Sequence, residues 1–277
     1  MLLKLKQKYW LIESIIFEKI MRFRAIKLGN QAHTLPNALI VSLTSFPPRF
    51  EKLELTIKGL LCQKIKPDKI ILWIANNDLY LLPKVINMLS ERYDIFEIKT
   101  YQDIGSYKKL IPSLKLYPSS YIVTADDDVY YPKEWLGRLI EHITSSTPII
   151  IAHRTHELTF DKENKVNSYA DWNNCCETKM SSYLMGTGIG GIVYPPNSFS
   201  PEVVNESAFE SLCGNADDLW FFWMSRLNGT PTKRSGYSFN IVTWQGTNET
   251  GLASSNVSRG RNDACIKNML SKYGEVW

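Results

Sequence analysis

An α/β fold, with a mostly parallel central sheet flanked by helices, is the fold class this chain predicts. Short apolar, β-branched runs alternate with stretches of helical periodicity between residues 38 and 152, as in strand–helix–strand crossovers. Polar and charged clusters follow the ends of those runs, where open α/β sheets bind their ligands. A chain of 277 residues, 44% hydrophobic and 22% charged, is long enough for one large domain of this kind or two small ones.

The first segment, residues 1–28, stands apart. Leu5, Tyr9, Ile12, Ile16, Ile20 and Phe23 recur at helical spacing. Lys4, Lys6, Lys8, Lys19, Arg22, Arg24 and Lys27 add a basic surface that only Glu13 and Glu18 oppose. Charges interrupt it too often for a transmembrane span, which needs roughly 20 mostly apolar residues. A basic amphipathic helix of this kind lies in an anionic membrane surface; packing on its own domain or on a partner subunit is the competing use. Gly29 to Pro36 reads as a polar linker, and residues 36–277 as one domain. Within it, 36–130 form the first half and 131–277 the second.

Along that domain, Ala38 to Leu43 predicts a central strand. Thr44 to Arg49 follows as a turn, and Phe50, Leu53, Ile57, Leu60 and Leu61 fall on one helical face. Lys69 to Ile74 is a second strand, Pro83 starts a helix, and Ile95 to Lys99 is a third strand. A turn at Asp103 to Gly105 precedes a helical stretch from Ser106 to about Leu116. Ser120 to Ala125 then forms a buried strand running into Asp126, Asp127 and Asp128, with Pro132 opening an amphipathic helix. Pro148 to Ala152 is the next strand. His153 to Tyr183 is long and irregular in pattern, a candidate lid. Asp217 and Asp218 lead a helix that Asn228-Gly229 stops, Phe239 to Trp244 reads as a late strand, and the tail is polar.

Three carboxylates at the end of a buried strand repel one another, so a cation is expected among them. Their oxygens suit a hard ion such as Mg²⁺ or Mn²⁺, which typically also binds phosphates; a solvated acidic loop is the plainer alternative. Asp217 and Asp218 have a plain alternative too, stabilisation of their helix dipole. A net charge of +4 gives no argument for nucleic acid. Five cysteines without zinc spacing suggest reduced thiols in a cytoplasmic protein. The four N-x-S/T sequons are discounted because no segment resembles a signal peptide.

Five motifs in register carry a resemblance: V-S-L-T-S-F-P-P-R-F (41–50), D-I-G-S-Y-K-K-L (103–110), T-A-D-D-D-V-Y-Y-P (124–132), G-I-G-G-I-V-Y-P-P (188–196) and A-D-D-L-W (216–220). Over about residues 38–265 the chain resembles GT-A-fold, nucleotide-sugar-dependent glycosyltransferases of the D-x-D, family-2-like type. The closest likeness is to bacterial enzymes of O-antigen or capsular polysaccharide synthesis. The resemblance implies a Rossmann-like sheet, a UDP-linked donor and a saccharide or lipid-linked saccharide acceptor. It implies metal ligation by Asp126 and Asp128, and donor contacts from Thr44, Ser45, Arg49, Asp103, Lys108, Lys109, Asp126 and Asp127. Gly188, Gly190, Gly191 and Trp220 would lie on the acceptor side. Asp217 is the first choice for the base that takes the acceptor's proton, with Asp218 as substitute. Relatives often use a late histidine as a further metal ligand; none follows His156 here, leaving Asn256 and Asp263 as stand-ins, or waters and phosphates to complete the shell. Two other classes fit the layout less well. A sugar-phosphate nucleotidyltransferase usually needs a Gly-rich loop where Thr44 to Arg49 has no glycine. A Ca²⁺-dependent carbohydrate-binding protein leaves Asp217 and Asp218 without a reason.

Overall fold

The computed structural model describes residues 2–143, 147–247 and 260–277, without the side chains of residues 2–9. Eight strands form the central sheet: β1 (Leu39–Thr44), β2 (Lys69–Ala75), β3 (Phe96–Tyr101), β4 (Tyr121–Thr124), β5 (Ile150–Ala152), β6 (Met180–Ser181), β7 (Ile192–Tyr194) and β8 (Thr232–Arg234). Their spatial order is β6-β8-β5-β7-β4-β1-β2-β3. The run β4-β1-β2-β3 is parallel throughout, whereas β7 lies antiparallel to both β4 and β5. This is the α/β architecture the sequence predicts, with two reversed strands, β7 near the middle of the sheet and β6 at its edge.

Side-chain alternation explains why β1 and β2 are apolar without a break. Leu39, Val41, Leu43, Ile70, Leu72 and Ile74 pack into one core layer, and Ile40, Ile71 and Trp73 into the other. Both faces are therefore buried, as in doubly wound sheets. Helices α2 (Phe50–Leu61) and α5 (Trp135–Ile140) cover the first face. The second is covered by α4 (Ile111–Leu116), α6 (Glu206–Cys213), α7 (Asp217–Leu227) and α8 (Arg261–Tyr273); a short α3 (Lys84–Arg92) precedes β3.

The remaining helix, α1 (Leu2–Phe23), packs on the domain, but not through the stripe its periodicity displays. Ser14, Glu18 and Met21 are buried, and Met21 and Phe17 join Leu55, Trp244 and Tyr130 in a small third core cluster. Ser14 Oγ donates to the Thr243 carbonyl, and Glu18 takes hydrogen bonds from Lys52 Nζ and Gln245 N. Ile12, Ile16, Ile20 and Phe23 stay exposed. Behind α1, residues 29–36 are not a free linker, since Gln31–Ala32 pairs in parallel with Ile65–Lys66.

Four other expectations need correcting. Phe239 to Trp244 forms no strand; only Thr243 bridges, to Val129, and the run is held by Trp244, whose indole donates to Thr56 Oγ1. Residues 153–183 are not irregular throughout, because Thr155–Glu157 pairs with both Asn173–Cys175 and Leu184–Gly186 in a small antiparallel sheet. The polar tail contains α8, whose Asn262, Cys265, Ile266 and Met269 face inward at helical spacing. The thiols are not all reduced either: Cys213 and Cys265 form a disulfide joining α6 to α8, while Cys62, Cys175 and Cys176 are free.

Candidate active site

The parallel strands β1, β3 and β4 all end at one edge of the sheet. Because β7 runs the other way, its first residue, Ile192, pairs with the last residue of β4, Thr124. The loop Gly188–Gly191 is thereby brought to the same edge. Ala152, the end of β5, also pairs with Ile192, which brings Arg154 there, and α7 begins at Asp217 facing it. A cavity of about 940 Å³ opens among these ends.

Every sequence-predicted donor-side residue lines that cavity: Thr44, Ser45, Arg49, Asp103, Lys108, Lys109, Asp126 and Asp127, together with Asp128, Asp217 and Asp218. Their contacts divide the acids by task. Asp127 is turned into the protein, its carboxylate accepting from Ser45 Oγ and from Arg49 Nη1 at 2.6 Å. Asp128 lies 3.3 Å from Arg49 Nη2; burial and then the Asp127 charge push its carboxyl up to about 7 against the pull of Arg49. Lys108 is buried and hydrogen-bonds Asp103, holding that carboxyl below its usual range despite partial desolvation.

Lys109 sits at the centre. Its buried ammonium is 3.2 Å from Asp126 Oδ1 and 3.0 Å from Asp217 Oδ2. Desolvation disfavours the charge, yet the surrounding carboxylates outweigh it and raise the lysine's pKa well above normal. Asp218 is held differently. Its Oδ2 accepts a 3.0 Å hydrogen bond from Gly188 N, and its buried Oδ1 has no hydrogen-bond partner. Burial first, then the Asp217 charge, push this carboxyl up to about 7, while Lys109 and the Gly188 N–H act in the opposite direction.

Six aspartates face four cations in the cavity lining (Arg49, Lys108, Lys109 and Arg154), a formal excess of two negative charges. That excess and the raised Asp128 suit a divalent cation with oxygen ligands. Among the described residues, no three His, Cys, Asp or Glu side chains are arranged to hold a metal by themselves. This is compatible with Mg²⁺-type sites, which use one or two carboxylates and draw other ligands from substrate phosphates and water. Asp126 and Asp128 are the acids that fit that part. Asp263 does not, because it accepts from Ser168 Oγ and Tyr169 N. Asn256 lies outside the described residues.

On the acceptor side the sequence expectations need correction. Trp220 is fully buried, its indole donating to the Val203 carbonyl, so it is core and not a sugar platform. Gly191 and Gly190 serve packing. A Cβ on Gly191, at φ +92°, would lie 2.4 Å from the Trp135 ring, and one on Gly190 would press on Arg154 Cβ at 2.9 Å. Gly188 does belong to the site: a side chain there would meet Lys109 Nζ at 2.7 Å and Asp218 Oδ1 at 3.2 Å. His153 directly follows the end of β5, as its position after the predicted strand implied, and its ring nitrogens meet Ser235 Oγ and the Trp135 carbonyl. Lining residues missed by the sequence reading include Trp10, Arg154, Tyr169, Thr187, Asn215 and Asn262. Arg154 was the most accessible of them, since it follows the predicted strand ending at Ala152.

No protein-family profile matches the chain, and no curated protein sequence is significantly similar to it. Among solved structures, it is similar to the mannosyltransferase PcManGT from Pyrobaculum calidifontis in complex with GDP-Man and Mn²⁺. The TM-score is 0.53 at 12% identity, covering 96% of this chain and 74% of that one. The two share a fold. At 12% identity the likeness extends no further. Weaker matches are S. aureus TarS 1-349 (TM-score 0.44, 10% identity, 85% and 72% covered) and the inositol-1-phosphate CTP transferase from T. maritima (0.42, 10%, 84% and 98%). Neither score bears on the argument. The Rossmann-like, GT-A-type sheet thus frames the cavity, and the chemistry has to be argued from its lining.

Proposed function

We propose that this protein is a metal-dependent inverting glycosyltransferase. It moves a sugar from a nucleoside-diphosphate donor, UDP-linked by the resemblance of its motifs, to a saccharide or lipid-linked saccharide acceptor in cell-surface polysaccharide synthesis. The work is done in the cytoplasm, at the membrane's inner face. The observation that carries the reading is the meeting of Asp126, Asp128, Lys109, Asp217 and Asp218 in one cavity at the carboxyl edge of the sheet.

Asp126 and Asp128 would hold the Mn²⁺ or Mg²⁺, whose contribution is to neutralise charge developing on the departing diphosphate. Asp103, with Thr44 and Ser45, flanks the nucleoside. Lys109 holds Asp126 and Asp217 in place through its two ion pairs. The base is better assigned to Asp218 than to Asp217, reversing the order the sequence suggested. Each acid has a buried oxygen without a hydrogen bond, Asp217 Oδ2 and Asp218 Oδ1, but that of Asp217 is ion-paired with Lys109 at 3.0 Å, whereas Asp218 makes no ion pair among the described residues and its other oxygen is oriented by the Gly188 N–H. A carboxyl poised at about 7 is also matched to proton abstraction near neutral pH. It takes the acceptor hydroxyl's proton as that oxygen attacks the anomeric carbon, through an oxocarbenium-like transition state of the kind glycoside hydrolysis uses.

The test is turnover of a panel of nucleotide sugars with Mn²⁺ and a saccharide acceptor. Release of nucleoside diphosphate, strongest with a UDP sugar and abolished in Asp128→Ala, is the expected result. Release of pyrophosphate from a nucleoside triphosphate and a sugar phosphate would instead identify a nucleotidyltransferase. Ca²⁺-dependent sugar binding without turnover would identify a lectin-like protein.

A further inference from the structure

We infer that the outward face of α1 seats this protein on an anionic membrane surface, with the rim of the cavity turned towards the headgroups. The inference stands on the helix alone and does not depend on the reaction proposed for the site. Ile12, Ile16, Ile20 and Phe23 are 57%, 49%, 50% and 88% exposed on successive turns. They form a continuous apolar stripe on a helix already fixed to the domain by its opposite side, through Ser14, Phe17, Glu18 and Met21. Packing among the described residues therefore does not account for the stripe, and contiguous exposed apolar surface marks an interaction site.

The charges select the occupant. Both acids of the helix are engaged by the domain: Glu13 by Asn240 Nδ2, Glu18 by Lys52 Nζ and Gln245 N. Lys19 and Arg22 are exposed, and the first turns add Lys4, Lys6 and Lys8 without an acid. An apolar stripe bordered mainly by basic charge complements acyl chains beneath anionic headgroups. A second copy of the same stripe would set these cations against their equals, so self-association is disfavoured. No helix among the described residues is long and apolar enough to cross a membrane, so α1 lies on the surface. Trp10, on the same helix, is 58% exposed and also lines the cavity. Tryptophan favours the interfacial layer, so docking by α1 brings the cavity mouth to the level of the headgroups.

Flotation of the full chain with phosphatidylcholine vesicles, with and without phosphatidylglycerol, tests the inference. The protein should float with the anionic vesicles only, and high salt should weaken the binding. Two variants should each lower binding about tenfold or more: Ile16→Asp/Ile20→Asp, which removes the stripe, and Lys19→Glu/Arg22→Glu, which leaves the stripe intact. Both change exposed side chains, so far-UV circular dichroism should be unaltered. Flotation equal to wild type in both variants would overturn the inference, as would binding indifferent to lipid charge. So would a dimer in size-exclusion chromatography that the stripe variant converts to monomer, which would make a second copy the occupant.

Discussion

Replacing Asp218 by asparagine should lower kcat by about 10²–10⁴-fold, the usual worth of a positioned base, while donor affinity stays close to wild type. The substitution keeps the side chain's shape and removes only its ability to take a proton. Because Asp218 works in its unprotonated form, wild-type turnover should rise as the pH climbs through about 7. The asparagine variant should lose that limb. Steady-state kinetics from pH 5.5 to about 8.5, with donor binding measured separately, checks both points. A variant with wild-type kcat would remove Asp218 from the chemistry. A larger loss in Asp217→Asn, with the pH limb retained in Asp218→Asn, would return the role to Asp217.

The second large effect falls on stability. Lys109→Met should destabilise the protein by about 3–5 kcal/mol, the range for removing one partner of a buried ion pair. The lysine is 8% exposed and holds Asp126 and Asp217 together, and methionine fills much of its volume without its charge. Both carboxylates are then left near Asp218 with no local counterion from residue 109. The loss should be partly offset by Mn²⁺. Urea unfolding at neutral pH, with and without Mn²⁺, measures it. Equal midpoints for wild type and variant at neutral pH would show that the ammonium does not hold the site together.

The sheet was legible in the sequence because buried parallel strands have to be apolar on both faces, and β1 and β2 are. The site's donor side was legible for a related reason. Polar residues cannot continue such runs, so Thr44, Asp103 and Asp126 mark the strand ends. Other features depend on partners far away in the chain. Nothing local tells Cys213 that it will meet Cys265, 52 residues on. The run from Phe239 to Trp244 has the alternation of a strand, but its pairing stops at one bridge, with two backbone hydrogen bonds to residues 128–130, and the Trp244 indole is satisfied by Thr56. Trp220 was misplaced because an aromatic beside the acid pair fits a sugar platform and a core equally well on sequence alone. In α1 the periodicity identified the helix and its stripe. It did not identify the face that packs, because Ser14 and Glu18 enter the interface through hydrogen bonds that hydrophobicity does not register.

The central claim is that one carboxylate, Asp218, serves a single displacement at the anomeric carbon. The configuration of the transferred sugar, read by proton NMR from the anomeric coupling of the fresh product, tests it most directly. The account predicts a configuration opposite to that of the donor sugar. A product with the donor's own configuration would contradict it.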